Sequence, residues 1–105
     1  MMNALSIFDE TRAIARLLRL LHDEDREGLA TLNMYQLMRE RYDVARTAVD
    51  SSLEAAVKLG LVERYPSGGF TVNSLTLRGV SVAVKIKELE DILTEDSSLT
   101  SLQVR

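Results

Sequence analysis

The sequence predicts a mainly α fold that carries one small β-hairpin, and three neighbouring observations predict it. The run LEAAVKLGLVERY, Leu53 to Tyr65, holds a helix that stops on Gly60 and leads into a strand. Pro66-Ser67-Gly68-Gly69 then marks a turn, and Phe70-Thr71-Val72 returns as the partner strand. Leu75-Thr76-Leu77-Arg78-Gly79 follows, with Thr76 placed to cap a further helix. Elements in this order offer one helix to a DNA groove and a hairpin to the backbone beside it.

The first helix is expected to begin between Asn3 and Asp9 and to run to about His22, with Leu5, Phe8, Ile14, Leu17, Leu18 and Leu21 on one face. Arg12, Arg16 and Arg19 lie on the other face. They form either a phosphate-contacting stripe or a solvated face with Asp9 and Glu10 as partners. The acidic stretch from His22 to Glu27, closed by Gly28, reads as a loop, and Leu29 to Leu32 as a short third strand beside the hairpin.

Asn33 is a candidate N-cap for the helix MYQLMRERY, whose apolar stripe is Met34, Leu37 and Met38, with Gln36, Arg39 and Glu40 outside. Its methionines read as core filler. Tyr42-Asp43 breaks the pattern, and Asp43 is placed to cap a third helix from about Val44 to Leu59. Ala45, Ala48, Val49, Leu53, Ala56 and Leu59 fall on its inner side. Arg46, Thr47, Asp50, Ser51 and Glu54 remain outside, where a recognition helix reads bases. Arg46 suits guanine O6 and N7, Thr47 a phosphate or a thymine methyl, and Ser51 either. Asp50 and Glu54 either accept from cytosine N4 or hold a neighbouring arginine; alternatively, all five only solvate a helix that binds protein. Ser51-Ser52 lowers helix propensity, so packing must hold this helix.

Leu61 and Val62 enter the core after Gly60, and the wing spans about residues 65–70. Arg64, Ser67 and the amides around Gly68 either rest on a phosphate or in the minor groove, or only close a hairpin. Tyr65 and Phe70 are expected to pack around the hairpin rather than to stack on bases. The last helix, 76–94, repeats Val82, Ile86, Leu89 and Leu93 at spacings of four, three and four, with Leu77, Val80, Val84 and Ile92 beside that stripe. Either the helix simply covers its own core or, the stronger reading, the surplus apolar surface is a two-fold subunit interface. Residues 1–94 form one domain, and 95–105 read as a flexible or loosely docked tail.

Composition excludes several classes of function. With 105 residues, 46% of them apolar, the chain suits one modest core. Zero cysteines rule out disulfides and thiolate metal sites and suit a reducing cytoplasm, one histidine argues against a His-based metal site, and no cofactor is expected. No apolar run is long enough for a membrane, and MMNALSIFDETR lacks the pattern of a secretion signal. An enzyme is not expected: there is no cysteine nucleophile or glycine-rich phosphate loop, Ser51 and Ser52 have no evident base, and His22 stands beside Asp23 at a helix end.

The net charge of -3 opposes duplex binding, which depends on neutralising phosphates, but its distribution softens the objection. Residues 1–27 hold six acids and four bases (-2), residues 39–78 six bases and five acids (+1), and residues 85–105 five acids and three bases (-2). The acid therefore sits away from the proposed reading face.

With Val49, Leu53, Leu59-Gly60-Leu61-Val62, Gly68-Gly69 and Leu75-Thr76-Leu77-Arg78-Gly79 in place, the chain resembles the winged helix-turn-helix transcription regulators of bacteria and archaea, in the broad group of the MarR, PadR and ArsR families. With the first two helices the resemblance spans most of residues 8–93, and the small, base-poor chain suits an archaeal or viral member. The resemblance implies a winged helix-turn-helix with an additional C-terminal dimerisation helix. It implies a homodimer that binds double-stranded DNA through Arg46, Thr47, Asp50 and Ser51, a wing at Ser67 to Gly69, and no metal response. Arg39 and Arg64 complete the candidate contacts. The alternative is a winged-helix module that docks on a protein partner, distinguished by whether residues 46–58 and the wing share a positive potential.

Overall fold

In the structure, a computed structural model, the backbone is described for residues 4–24 and 28–103 and the side chains for 11–24 and 28–94. The elements follow as α1 (Ala4–Glu24), β1 (Leu29–Ala30), α2 (Thr31–Tyr42), α3 (Arg46–Lys58), β2 (Val62–Ser67), β3 (Phe70–Leu75) and α4 (Leu77–Gln103). The strands make one antiparallel sheet in the order β1-β3-β2, with Val62 opposite Leu75 and Ser67 opposite Phe70. The turn is Gly68-Gly69 alone, while Pro66 and Ser67 belong to β2. Both glycines have positive φ, 56° and 83°, as a two-residue hairpin turn demands.

One core joins the helices to the root of the hairpin: Leu17, Leu18, Leu20 and Leu21 of α1, Met34 and Met38 of α2, Val49, Leu53 and Ala56 of α3, then Leu61, Val62 and Ala83. Leu20 lies outside the expected apolar face, yet it is fully buried, because α1 packs against α2, α3, β3 and α4. Truncation of such a side chain, for example Leu53, costs about 2–5 kcal/mol. Expected stripe residues Leu5 and Phe8 lie outside the described side chains.

Several boundaries differ from expectation. The third strand is only Leu29–Ala30, paired with Asn73 and Val72, and α2 starts at Thr31. Asn33 therefore sits inside the first turn of α2, and Ala30 occupies the N-cap without a side-chain bond. Asp43 does not open α3 but ends α2: at φ 55° it adopts the left-handed conformation, and its amide donates to Arg39 O at 3.0 Å. Asp tolerates that conformation better than most residues, which makes it a turn former here. Ala45 takes the N-cap of α3, leaving Val44 and Ala45 in the connection. Ala45 and Leu59 are exposed, whereas Ser52 is buried and returns its hydroxyl hydrogen bond to Ala48 O at 2.7 Å. Satisfied within its own helix, Ser52 enters the core without an orphaned group.

Gly60, at φ 75°, ends α3 as expected, and Thr76 caps α4 by accepting a hydrogen bond from the Gly79 amide at 3.0 Å while donating to Gly60 O at 2.7 Å. The helix continues through Gln103 rather than stopping near Leu93 or Thr94. Its last stretch contains neither glycine nor proline to break it. No helix among the described residues is long and apolar enough to cross a membrane.

Candidate nucleic-acid interface

The helix pair α2 and α3 leaves one face of α3 uncovered. Val49, Ser52, Leu53 and Ala56 turn inward, so Arg46, Thr47, Asp50, Ser51 and Glu54 are all exposed, as their spacing predicts. Three charged side chains on this face have defined partners. The Arg46 guanidinium lies over the ring of Tyr35 on α2, 4.5 Å from its centroid. The Tyr35 hydroxyl donates a short hydrogen bond to the Asp50 carboxylate. Glu54 pairs with Lys58 one turn on, at 3.6 Å. The bond to Asp50 holds the Tyr35 phenol above its usual pKa of 10, aided by desolvation and the carboxylate's charge and opposed by Arg46.

The wing is organised from beneath. Asn73, fully buried in β3, accepts from Arg64 Nε at 2.8 Å and donates to Leu29 O at 3.1 Å and Thr31 Oγ1 at 2.9 Å. Arg64 also donates to Thr31 Oγ1 at 3.2 Å, which ties β2, β3 and the start of α2 together. Ser67, Gly68 and Gly69 are exposed at the tip. Phe70 is 57% exposed at the outer end of the hairpin, whereas Tyr65, 39% exposed, reaches across β3 so that its hydroxyl lies beside Gly28 and Val72. Phe70, Leu32, Thr31 and Arg64 instead line a cleft of about 240 Å³ between the wing and the start of α2.

The arginines of α1 do not form a phosphate stripe. Arg19 is drawn against α4, 2.5 Å from Glu90 and 3.7 Å from Asp23, with only 17% of its side chain exposed. Arg16 lies over the Tyr42 ring at 5.5 Å, and Arg12 is exposed with neither kind of contact among the described residues. Arg19 thus has one partner within α1 and one on α4, Arg16 has one on α2, and Asp9 and Glu10 lie outside the described side chains. On α2, Arg41 pairs with Glu24 while Arg39 is exposed. Formal charges on the outer face of α3 cancel: Arg46 and Lys58 against Asp50 and Glu54. Those of the wing, Glu63 and Arg64, cancel too.

The stripes of α4 divide. Ala83 is buried, and Val82 and Ile86 pack on the core, whereas Leu89, Ile92 and Leu93 are more than half exposed. A shallow apolar groove of about 290 Å³ runs along Ser81, Val82, Lys85, Ile86 and Leu89. Among the described residues no three histidine, aspartate or glutamate side chains gather closely enough to hold a metal ion.

Three residues escaped the sequence reading: Tyr35, Asn73 and Thr31. Tyr35 is an aromatic at the edge of the Met34, Leu37 and Met38 stripe, and Asn73 a strand-averse residue inside FTVNSL, signals too common to single them out.

Comparison of the sequence with protein-family models and with curated proteins finds no match. Solved structures do match. Staphylococcus aureus MepR, a transcription regulator of the multidrug efflux pump MepA, superposes with a TM-score of 0.72 at 19% identity, over 93% of this chain and 69% of its own. SSV1 F-93 gives 0.68 at 20% identity, over 82% and 89%, and AF1382 from Archaeoglobus fulgidus 0.66 at 17%, over 78% and 88%. The fold is a winged helix-turn-helix. In that frame α3 occupies the position of the recognition helix and the β2–β3 hairpin that of the wing.

Proposed function

We propose that the protein is a transcription regulator that binds double-stranded DNA in a sequence-specific manner as a homodimer. The observation that carries this reading is the exposed set Arg46, Thr47, Asp50 and Ser51 on the one face of α3 that the core leaves uncovered, beside a wing whose arginine is held in place. Arg46 reads guanine, Thr47 and Ser51 serve phosphate or base, and Arg39, Arg64, Ser67 and Gly68 contact the backbone beside the groove. The homodimer rests on Leu89, Ile92 and Leu93, which leave apolar surface on α4 that the described residues do not cover, continuous with Val82 and Ile86. Pairing two copies sets two α3 helices toward successive turns of one duplex and favours a palindromic site.

The cancelled charges of α3 and the wing favour a second reading, a module that docks on a protein partner. One experiment separates the two: selection from pooled genomic fragments at several salt concentrations, with Arg46→Ala in parallel and sequencing of what is retained. A regulator retains a palindromic motif whose preference the variant loses by about 1–3 kcal/mol, whereas Arg64→Ala weakens all duplexes about equally. With few cations per copy, the dimer's logarithmic salt slope is expected at about -4 to -5. No retention at low salt sinks the DNA reading and sends the search to protein partners.

A further inference from the structure

Arg46 and Asp50 stand four residues apart on the exposed face of α3, the spacing at which opposite charges on a helix pair with each other. Among the described residues they form no ion pair; Tyr35 of the preceding helix lies between them. Its ring receives the guanidinium on its face, and its hydroxyl engages the carboxylate. A guanidinium stacked on a ring uses its flat face and keeps its in-plane N–H donors for a planar acceptor pair such as guanine O6 and N7.

We propose that Tyr35 is a positioning residue that sets base specificity: by holding Asp50 and stacking Arg46, it keeps the arginine's donor edge open to guanine and prevents an Arg46–Asp50 pair from closing it. The inference rests on the DNA-reading role of α3 proposed above. It assigns to a residue of the supporting helix, which need not touch DNA, control over what the recognition helix reads. The raised titration of the Tyr35 phenol agrees with its bond to Asp50, which outweighs the opposing influence of Arg46.

Three full-chain variants test it: Tyr35→Phe, Asp50→Asn and the double variant, each shown by urea unfolding to be fully folded under the binding conditions. Discrimination is measured by competition at the base pair whose preference Arg46→Ala abolishes, together with affinity for random duplex. Tyr35→Phe keeps the stacking ring and releases Asp50 to pair with Arg46, so guanine discrimination falls about tenfold while random-duplex affinity changes less than about twofold. In the double variant asparagine offers Arg46 no charge, and discrimination returns to the level of Asp50→Asn alone. A merely structural Tyr35 would show no such rescue.

Undiminished discrimination in Tyr35→Phe, or no rescue in the double variant, overturns the proposal while leaving DNA reading by α3 intact. A wild-type chain that selects no motif overturns both, and that result is told apart by the wild type alone. A DNA-free readout adds to these. In absorbance titration, the transition missing from Tyr35→Phe moves toward lower pH in Asp50→Asn if the carboxylate engages the phenol, and its failure to move overturns the clamp itself.

Discussion

The two arginines proposed to meet DNA are held in opposite ways. Arg46 is itself exposed and lies over the ring of Tyr35, a half-buried residue packed at the edge of the core. Arg64 is fixed by hydrogen bonds from below, through Asn73, which is itself fully buried and joined to β1 and α2. The difference separates two kinds of control. Loss of the support under Arg64 also breaks the sheet, so the wing's geometry and the domain's stability are coupled. Removal of the Tyr35 hydroxyl alone leaves that ring packed in place, so the proposed recognition by α3 can change at little cost to folding.

This contrast predicts a gradient of stability, steepest at the root of the wing. A Cβ at Gly79 would press into the Leu61 carbonyl, where α4 crosses the start of the hairpin, and neither backbone can yield cheaply. Gly79→Ala is therefore expected to cost about 3 kcal/mol or more in urea unfolding. Asn73→Ala comes next, at about 2–3 kcal/mol, since it removes three hydrogen bonds that join β3 to β2, β1 and α2 and empties a fully buried position. Hydrogen exchange at Leu29 and Ala30 should accelerate with it, because β1 is only two residues long. Were Tyr35→Phe to destabilise the chain as much as Asn73→Ala, the contrast between the two arginines would fail.

The smallest effect expected concerns pH. Folding raises the Tyr35 pKa, chiefly through the hydrogen bond to Asp50, so the folded state favours the neutral phenol. That contribution is fully present below the ordinary value of 10 and is lost as pH rises through the higher folded value. Wild type and Tyr35→Phe, compared by urea midpoint in steps upward from pH 9, should therefore converge in alkali. A stability difference that widens with pH would show that the sign is wrong.

The element order was largely legible because each boundary has a local cause: Gly60 in its left-handed conformation, the Gly68-Gly69 turn and the Thr76 cap all act within a few residues. Asn33 and Asp43 misled for a related reason. Both can cap a helix N-terminus, but pairing of Ala30 with Val72 started α2 earlier, and Asp43 served better as the left-handed end of that helix. At the candidate site, alternation of buried and exposed positions placed Arg46, Thr47, Asp50 and Ser51 outward from the sequence alone. Their neighbours were not legible, since Tyr35 to Asp50, Arg64 to Asn73 and Arg19 to Glu90 are contacts between separate elements.

Periodicity and turn chemistry are local, and by themselves they determined that this chain makes a helix pair, a glycine-turned hairpin and a long final helix whose apolar surface exceeds one stripe. Only the tertiary structure decided which charges stay available. It drew Arg19 onto α4, anchored Arg64 on a buried asparagine and laid Arg46 on a tyrosine, because the partner of a charged side chain is set by what folding brings within a few ångströms of it.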